Sequence, residues 1–455
     1  MPFIRSISGL RATLDNSLSP EIVSLYAKAF EQYLPKGEII IGRDGRPSGK
    51  WIEQLIAETL KERGRTVHLL GIVPTPTVQL LVEHTANAVG GISITASHNT
   101  SEWNGMKFMG GDGVFLDAAE NQEFWKFADG VSSLEKSTQK GEIIHRADAI
   151  EQHIKTLLNI SLFSDEMLDA IRSRKYKVVV DAVNAGGSVA VPQLLEILGC
   201  EVVRLYCDGS GEFPHTPEPL AQNLTALADT VRLHNADIGI AVDPDADRLV
   251  LVNEKGENIS EEKTIVLAAQ AVLESMDVLK EYSRNIAINL STSRMIEDIA
   301  SEYGVTVNRT PVGEVNVVRN LQKNNGIFGG EGSGGVILPV CHYGRDSLVG
   351  IALLLKLMAS GHRKLSKLED LLPHYEMLKT KINFSGDFEK FSAKLQESFK
   401  ESTVTLGDGV RFDIAKSWVH IRSSNTEPIV RIIAEAATVK EAQELIDRAK
   451  DVLLN

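Results

Sequence analysis

The chain has 455 residues, of which 43% are apolar and 24% are charged, and its formal net charge is −13. This length is enough for three or four domains of about 100–150 residues, and the mixed-sign charge argues against disorder. The acidic balance disfavours a general nucleic-acid-binding protein, which needs a dense cationic face, but it leaves room for a local cationic pocket.

Cysteine usage and the apolar runs indicate the compartment. Cys200, Cys207 and Cys341 form no CxxC motif and cannot all pair, which predicts free thiols in a reduced, cytoplasmic protein. The N-terminal sequence MPFIRSISGLRATL lacks the long apolar core of a signal peptide. The most apolar run, 348–359, is too short to span a bilayer, so we expect a buried core helix and no membrane partner.

The first 150 residues are predicted to form one α/β domain. The segment SGLR at 8–11 is expected in a loop that precedes a helix at 19–34, which Ser19 would cap. A short strand at 39–42 leads into the loop GRDGRPSG and the next helix. Alternating strands and helices imply a mixed or parallel sheet with helices on its faces.

The same alternation of strands and helices recurs later in the chain. It repeats over 151–255 and again over 256–370, which predicts two further α/β domains similar to the first. The character changes over 371–455, where antiparallel strands with two helices predict an α+β domain. We therefore expect three successive α/β domains followed by a smaller α+β domain.

A polar loop between two strand-like runs lies in the first domain, within GGISITASHNTSEWNGMKF. The loop presents the hydroxyl of Ser97 and the imidazole of His98, and the following strand carries the ammonium group of Lys107. A serine-rich turn of this kind is often only structural. Its significance therefore depends on the other loops of the chain.

The most specific pattern is AVDPDADRLV, in which Asp243, Asp245 and Asp247 alternate along a loop between two strands. Three carboxylates this close repel one another unless they share a hard cation, for which Mg²⁺ is the natural choice. An EF-hand is excluded because Arg248 stands where that motif has glycine and the flanks are strand-like. The alternative is a solvated acidic turn.

A glycine-rich segment, GGEGSGGV at 329–336, is predicted to be a loop because glycine weakens both strands and helices. We expect its backbone to approach a ligand closely, with Glu331 and Ser333 facing hydroxyl groups. No GKS or GKT follows, so it is not a Walker loop. The alternative is a flexible linker.

The last polar loop, RSSNTEP at 422–428, has Arg431 beyond it. Its guanidinium, hydroxyl and amide groups would make a binding site for a phosphate dianion. The alternative is an ordinary turn held by its own side chains.

Taken in order, TASHN with a later NGMK, DPDADR, GEGSG and RSSNTEP resemble the α-D-phosphohexomutase family, which includes phosphoglucomutase, phosphomannomutase and phosphoglucosamine mutase. The resemblance covers essentially the whole chain. GRDGR at 42–46 and the TPVG turn at 310–313 are further family features. The chain departs from the family at Thr100, where proline is usual, and at Ala12, where glycine is usual. Neither change removes a reacting group.

The resemblance implies three similar α/β domains with mixed sheets and a C-terminal α+β domain around a central active-site cleft. It implies that Ser97 carries a phosphoryl group and that one Mg²⁺ per chain binds its oxygen together with Asp243, Asp245 and Asp247. Around the transferring phosphate it places Arg11, His98, Lys107 and Arg248, with Lys107 a candidate general acid or base. The implied substrate-binding residues are Thr310, Gly313, Glu331, Gly332, Ser333, Arg422, Ser424, Asn425, Thr426 and Arg431.

The family reaction interconverts a hexose 1-phosphate and its 6-phosphate through phosphoserine, with a hexose bisphosphate as intermediate and activator. The run GEGSGGVILP followed by HYGRD resembles phosphoglucosamine mutases more than animal phosphoglucomutases, and a phosphomannomutase/phosphoglucomutase is the alternative. A sugar-phosphate-binding regulator without catalysis is disfavoured because Ser97, Lys107 and the three aspartates are intact. A phosphatase would release free phosphate instead of an isomerised product.

Overall fold

A computed structural model describes residues 3–15, 17–130, 140–384, 386, 388–423 and 429–454. The first domain has seven strands, β1 (Phe3–Ser6), β2 (Gly9–Thr13), β3 (Glu38–Arg43), β4 (Val67–Ile72), β5 (Ala88–Ile94), β6 (Trp103–Gly110) and β7 (Ile143–His145). Four helices lie among these strands, α1 (Pro20–Tyr33), α2 (Gly49–Glu62), α3 (Thr75–His84) and α4 (Ala118–Gly130). The sheet order is β1-β2-β6-β5-β3-β4-β7, and parallel and antiparallel pairs both occur.

The expectation that SGLR lies in a loop is wrong. Gly9 to Thr13 form β2, which pairs with β1 as a hairpin and with β6 on its other side. Arg11 therefore projects from a strand beside Gly105. The predicted capping of the first helix is confirmed, because the Ser19 hydroxyl accepts a hydrogen bond from the backbone N–H of Ile22.

After α5 (Ala149–Leu158), the second unit contains α6 (Asp165–Arg174), β8 (Lys177–Asp181), α7 (Gly187–Ile197), β9 (Glu201–Tyr206), α8 (Thr225–His234), β10 (Ile238–Val242), β11 (Leu249–Asn253) and β12 (Asn258–Ile259). Its sheet order is β12-β11-β10-β8-β9. β8 pairs in parallel with β9 and β10, whereas β10 and β11 form an antiparallel hairpin. The acidic loop is the turn of this hairpin.

The third unit contains α9 (Glu261–Leu273), β13 (Ser283–Asn289), α10 (Met295–Glu302), β14 (Thr306–Thr310), α11 (Glu314–Asn324), β15 (Gly326–Glu331), β16 (Gly335–Leu338), β17 (His342–Arg345), α12 (Ser347–Ser360) and α13 (Leu365–Glu369). Its sheet order is β14-β13-β15-β16-β17. The prediction of a glycine-rich loop is wrong for most of its length, because Gly329–Glu331 belong to β15 and Gly335 begins β16. Only 332–334 form the turn.

The fourth unit is an antiparallel sheet with helices on it, as expected for an α+β domain. Its elements are β18 (Glu376–Asn383), α14 (Phe388–Ser398), β19 (Thr403–Leu406), β20 (Val410–Ile414), β21 (Ser417–Ser423), β22 (Ile429–Ala436) and α15 (Val439–Leu454). The strand order is β18-β22-β21-β20-β19. The expected architecture of three mixed α/β units and one α+β unit is confirmed.

The first three units share one plan, which places three loops in equivalent positions. In each unit a central strand pairs in parallel with two neighbours, and the second neighbour turns back through an antiparallel hairpin: β5/β6, β10/β11 and β15/β16. The serine loop, the acidic loop and the glycine turn are the turns of these three hairpins. The three loops therefore occupy the same position in the topology of their respective units.

The apolar run near the end of the third unit forms α12, and every residue from Ser347 to Ala359 is buried. One hydrophobic core includes α12 and the side chains of the second unit, among them Leu194 and Ile240. The second and third units therefore pack as one body. Within the described residues, no helix is both long enough and apolar enough to cross a membrane.

Candidate active site

Ser97 occupies a constrained position at the β5/β6 turn. Its side chain is almost fully buried, and its φ of 52° lies in the left-handed region, which is unusual for a residue other than glycine. The Thr95 hydroxyl accepts a hydrogen bond from the Ser97 N–H at 2.8 Å. The Ser97 Oγ lies 3.3 Å from Asp243 Oδ2 and 3.3 Å from His98 Nδ1. This backbone geometry directs the hydroxyl toward the acidic loop.

An arginine from the GRDGR segment holds the serine loop through hydrogen bonds to its backbone carbonyls. The Arg46 guanidinium donates to the backbone carbonyl of Ser97 at 2.9 Å and to that of Asn99, and it pairs with the Asp44 carboxylate. The ring of Phe213, from the second unit, lies 5.0 Å from the guanidinium carbon. Arg46 and Asp44 are both fully buried, so this pair is a rigid support for the serine loop.

The three aspartates converge as the alternating pattern predicted. One ligand oxygen from each of Asp243, Asp245 and Asp247 lies within 4.8 Å of the others, and all three side chains are buried. Asp245 Oδ1 and Asp247 Oδ1 have no hydrogen-bond partner among the described residues. Buried carboxylate oxygens normally have partners, so an all-oxygen set with two unpartnered atoms fits a hard divalent cation such as Mg²⁺.

Cationic side chains surround the carboxylates. Lys107 Nζ lies 2.6 Å from Asp245 Oδ2 and 3.2 Å from Asp247 Oδ2. Arg248 Nε lies 3.9 Å from Asp243 Oδ2 and 3.8 Å from Asp247 Oδ1. Arg11 donates to Asn99 of the serine loop at 3.1 Å. The structure thus brings the residues predicted to surround the transferring phosphate to one place.

The charges at this centre shift several pKa values. Burial, together with the carboxylates of Asp247 and Asp245, raises the pKa of Asp243 well above its ordinary value. Burial also opposes ionisation of Lys107, but the two carboxylates beside it raise its pKa, so it remains an ammonium. Burial and the cations of Arg248 and Arg11 lower the pKa of His98 to about 2, which leaves a neutral imidazole next to the serine.

Arg345 is a site residue that the sequence did not single out. Its guanidinium donates to Asp247 Oδ2 at 2.6 Å, to Glu331 Oε2 at 2.7 Å and to Glu314 Oε2 at 3.1 Å. It therefore joins the acidic loop of the second unit to β15 and α11 of the third. The sequence analysis noted the HYGRD segment that contains Arg345, but the residues next to it in the sequence do not indicate which carboxylates it contacts.

The residues after Arg345 hold it against the acidic loop. The Ser347 hydroxyl donates to the Ala246 carbonyl at 2.7 Å, and the Asp346 carboxylate caps α12 through the N–H of Leu348. The other oxygen of Asp346 contacts the Nε2 atoms of His153 and His342 at 2.8 and 3.1 Å. This buried cluster is a hydrogen-bonded helix cap that anchors the segment.

The residues predicted to bind the sugar differ in how far their side chains are already engaged by other protein groups. Glu331 already accepts from Asn289 at 2.8 Å and from the Gly313 N–H at 3.0 Å, in addition to Arg345. The Thr310 hydroxyl is buried and donates to backbone carbonyls, 3.1 Å from that of Pro311, so it does not face the cleft. The roles predicted for these residues remain predictions.

A cavity of about 340 Å³ opens beside the serine and acidic loops, within the size range of small-molecule sites. His98, Arg248, Glu331, Gly332, Ser333, Arg345, Arg422 and Arg431 are among the side chains and backbone that line it. Arg422 lies 3.8 Å from Asp408, a weak pairing. Ser424, Asn425 and Thr426, predicted to bind phosphate, lie outside the described residues.

Known families match the chain along nearly its whole length. Four successive family profiles, described as "Phosphoglucomutase/phosphomannomutase" alpha/beta/alpha domains I, II and III and C-terminal domain, match residues 4–133, 151–256, 260–375 and 388–452. Fold and site together define an isomerase of the mutase class. The chain belongs to the phosphoglucomutase/phosphomannomutase family, that is, to the α-D-phosphohexomutases.

Individual relatives agree with this placement. A "Phosphoglucomutase/phosphomannomutase" of Thermococcus kodakarensis is 35% identical over 96% of each chain. A "Probable phosphoglucosamine mutase" of Methanopyrus kandleri is 31% identical over 98% of this chain and 96% of that one. The crystal structure of a family protein from Burkholderia thailandensis has a TM-score of 0.83 at 25% identity, over 99% of this chain and 98% of that one.

Proposed function

We propose that the chain interconverts glucosamine 6-phosphate and glucosamine 1-phosphate, with Ser97 as the residue that carries the phosphoryl group. The observation that carries this proposal is the 3.3 Å approach of the Ser97 Oγ to Asp243 within a buried carboxylate cluster, next to His98 and Arg248, which line a cavity. A hydroxyl in that position contacts the carboxylate cluster on one side and a residue of the cavity wall, His98, on the other.

The reaction has two transfers that mirror each other. A substrate hydroxyl oxygen forms a bond to the phosphorus on Ser97 while the bond from Oγ to phosphorus breaks, and the hydroxyl proton passes to a base. The hexose bisphosphate then turns within the cleft. Ser97 Oγ takes the phosphoryl group from the other end, and the proton returns to the sugar oxygen that is released.

The surrounding side chains have distinct roles in this proposal. Lys107, whose pKa is raised, stays protonated, so it serves as a cation and a hydrogen-bond donor and not as a base. His98 is neutral and lies 3.3 Å from the Ser97 Oγ, where it can share a hydrogen bond with the serine, but its lowered pKa makes it a poor proton acceptor. Arg248 and Arg11 balance the charge of a phosphoserine, which carries about −1.5 to −2.

Asp243, Asp245 and Asp247 would hold one Mg²⁺ together with an oxygen on Ser97. When bound, this ion would supply charge neutralisation for the transferring phosphoryl group. The unpartnered Asp245 Oδ1 and Asp247 Oδ1 support this assignment. Arg345 and Lys107 occupy the opposite oxygens of these carboxylates, so the ion would not displace them. A hexose bisphosphate would serve as the activator that phosphorylates Ser97.

The sugar assignment rests on relatives and has one competitor. Several relatives of 31–32% identity carry the name phosphoglucosamine mutase, and one from Sulfurisphaera tokodaii is named "Phosphoglucosamine/phosphogalactosamine mutase". The relative from Thermococcus kodakarensis at 35% identity is named phosphoglucomutase/phosphomannomutase, which favours that activity as the alternative. The substrate of this chain is therefore a hexose phosphate, with glucosamine proposed as the sugar.

A substrate panel tests the proposal. The purified protein is assayed for 1-phosphate to 6-phosphate interconversion of glucosamine, glucose, mannose and N-acetylglucosamine phosphates, with Mg²⁺ and catalytic hexose bisphosphate. We expect the highest kcat/KM with glucosamine phosphate and no turnover by the Ser97→Ala variant. A higher kcat/KM with mannose or glucose phosphate would favour the alternative, and near-normal turnover by the variant would remove Ser97 from the chemistry.

A further inference from the structure

Among the described residues, three carboxylates line the cavity beside the phosphoryl site, and two of them already pair with protein groups. Glu331 is held by Arg345, Asn289 and the Gly313 N–H. Glu262 accepts from Lys379 and from the Ser293 N–H, each at 3.0 Å. In both side chains, each carboxylate oxygen already accepts at least one hydrogen bond from the protein.

Glu218 is the third carboxylate, and it differs from the other two. It lines the same cavity as His98 and Ser333, and its side chain is half-buried. Within the described part of the chain, no hydrogen bond or ion pair engages its carboxylate. It is therefore the one acidic group in the cavity, among the described residues, that remains available to a ligand.

The backbone around Glu218 is fixed, so the carboxylate is displayed from a rigid position. Buried Pro217 and Pro219 flank it. Its carbonyl accepts from the Leu220 N–H and from Asn223 Nδ2, both at 2.8 Å. A carboxylate presented on such a support loses little conformational entropy when it binds a partner.

The charges of the cavity show which partner suits Glu218. Besides Arg345, which is paired with three carboxylates, four cationic side chains line it, and these suit a phosphate dianion: Arg248, Lys379, Arg422 and Arg431. A free carboxylate in such a cavity repels the phosphate unless the same ligand also carries a positive charge. A sugar phosphate with an ammonium group satisfies both requirements, whereas a neutral sugar phosphate satisfies only the first.

We propose that Glu218 binds the 2-ammonium group of the sugar phosphate and thereby selects amino sugars over neutral hexoses. This inference rests on the proposed function and extends it by naming a residue that determines sugar specificity. The carboxylate forms a charge-assisted hydrogen bond with the ammonium group, and a 2-hydroxyl can offer only a weaker, neutral donor. The selection acts on binding and involves no covalent step.

The test compares Glu218→Gln with Glu212→Gln. Glu212 lies in the same loop but is exposed and does not line the cavity, so it is a matched control. For Glu218→Gln we expect kcat/KM to fall at least 10-fold with glucosamine 6-phosphate and to change less than about threefold with glucose 6-phosphate. The control should change neither value.

Binding is measured as well, because activity alone does not separate recognition from folding. Both variants carry Ser97→Ala, and affinities are measured by calorimetric titration. Adding Glu218→Gln should weaken the affinity for glucosamine 6-phosphate about 10-fold and leave the affinity for inorganic phosphate unchanged. An equal loss for both sugars, or an unchanged preference for glucosamine, would overturn the role of Glu218. A parent enzyme that itself shows no preference for glucosamine phosphate would instead overturn the proposed sugar, and the role of Glu218 with it.

Discussion

Replacement of Arg345 by methionine tests how the second and third units are joined at the active site. Its guanidinium bonds three carboxylates, those of Asp247, Glu314 and Glu331, at 2.6–3.1 Å, and its side chain is only 10% exposed. Methionine has a similar reach but no charge, so it leaves these buried carboxylates without their shared partner. Breaking a buried ion pair in this way typically costs about 3–5 kcal/mol.

The same replacement should also reduce activity. Asp247 belongs to the proposed metal cluster and Glu331 to the proposed sugar-binding cavity, so loss of Arg345 releases both from their fixed orientations. A misplacement of about 1 Å near the reacting groups lowers rates by about 100-fold. Arg345→Lys should recover only part of the loss, because a single ammonium cannot reproduce the fork of three donors.

The assay is urea unfolding followed by far-ultraviolet circular dichroism, together with mutase kinetics. The control is Arg363→Met, which removes a partly exposed ion pair with Glu274 at 3.2 Å in the same unit. Such pairs contribute about 0.2–1 kcal/mol, so the control should be nearly neutral. If Arg345→Met lost no more stability than the control and kept its activity, the argument that Arg345 organises the site would fail.

Three further results are expected. The Ser97→Ala variant should take up no radioactive phosphate from a labelled hexose bisphosphate, and its thermal unfolding midpoint should be unchanged. Labelling of this variant would exclude Ser97 as the phosphoryl acceptor. Asp245→Asn should weaken Mg²⁺ binding in a calorimetric titration, and an unchanged titration would discredit the carboxylate cluster. Burial lowers the pKa of His215, but the Asp181 carboxylate, 2.9 Å from its ring, more than offsets this, so the pKa is raised. Their pairing therefore stabilises the fold below the unfolded pKa of about 6.5, and this stabilisation is lost as the pH rises through the folded-state pKa. His215→Gln should therefore reduce the free energy of unfolding at about pH 6 more than at about pH 9, and an equal reduction at both would contradict the pairing.

Local patterns in the sequence were sufficient to predict the serine and acidic loops. In both, a buried strand with β-branched residues leads into a short polar segment, and such a boundary is decided by neighbouring residues alone. The buried helix α12 was predictable for the same reason, since its apolar run has no polar face. These elements depend little on distant parts of the chain.

The errors arose where distant backbone determines the conformation. Gly330 was assigned to a loop, but a Cβ there would lie 2.2 Å from the carbonyl oxygen of Gly335, so glycine is required by the close approach of β15 and β16. Arg11 was assigned to a loop because SGLR has turn-forming residues, yet β2 forms by pairing with β6 about 90 residues later. Arg345 was missed because its three partners come from distant segments.

The charges around Ser97 and the acidic loop explain why the proposed divalent cation and the proposed phosphoserine suit the same place. Four cationic and five carboxylate side chains meet there: Arg11, Lys107, Arg248 and Arg345 with Asp243, Asp245, Asp247, Glu314 and Glu331. Burial and its carboxylate neighbours raise the pKa of Asp243, which marks the point where positive charge is insufficient. A divalent cation there corrects the deficit, whereas a dianionic phosphoryl group on Ser97 alone would deepen it. Because the divalent cation and the phosphoryl dianion have equal and opposite charges, the presence of each strengthens the binding of the other.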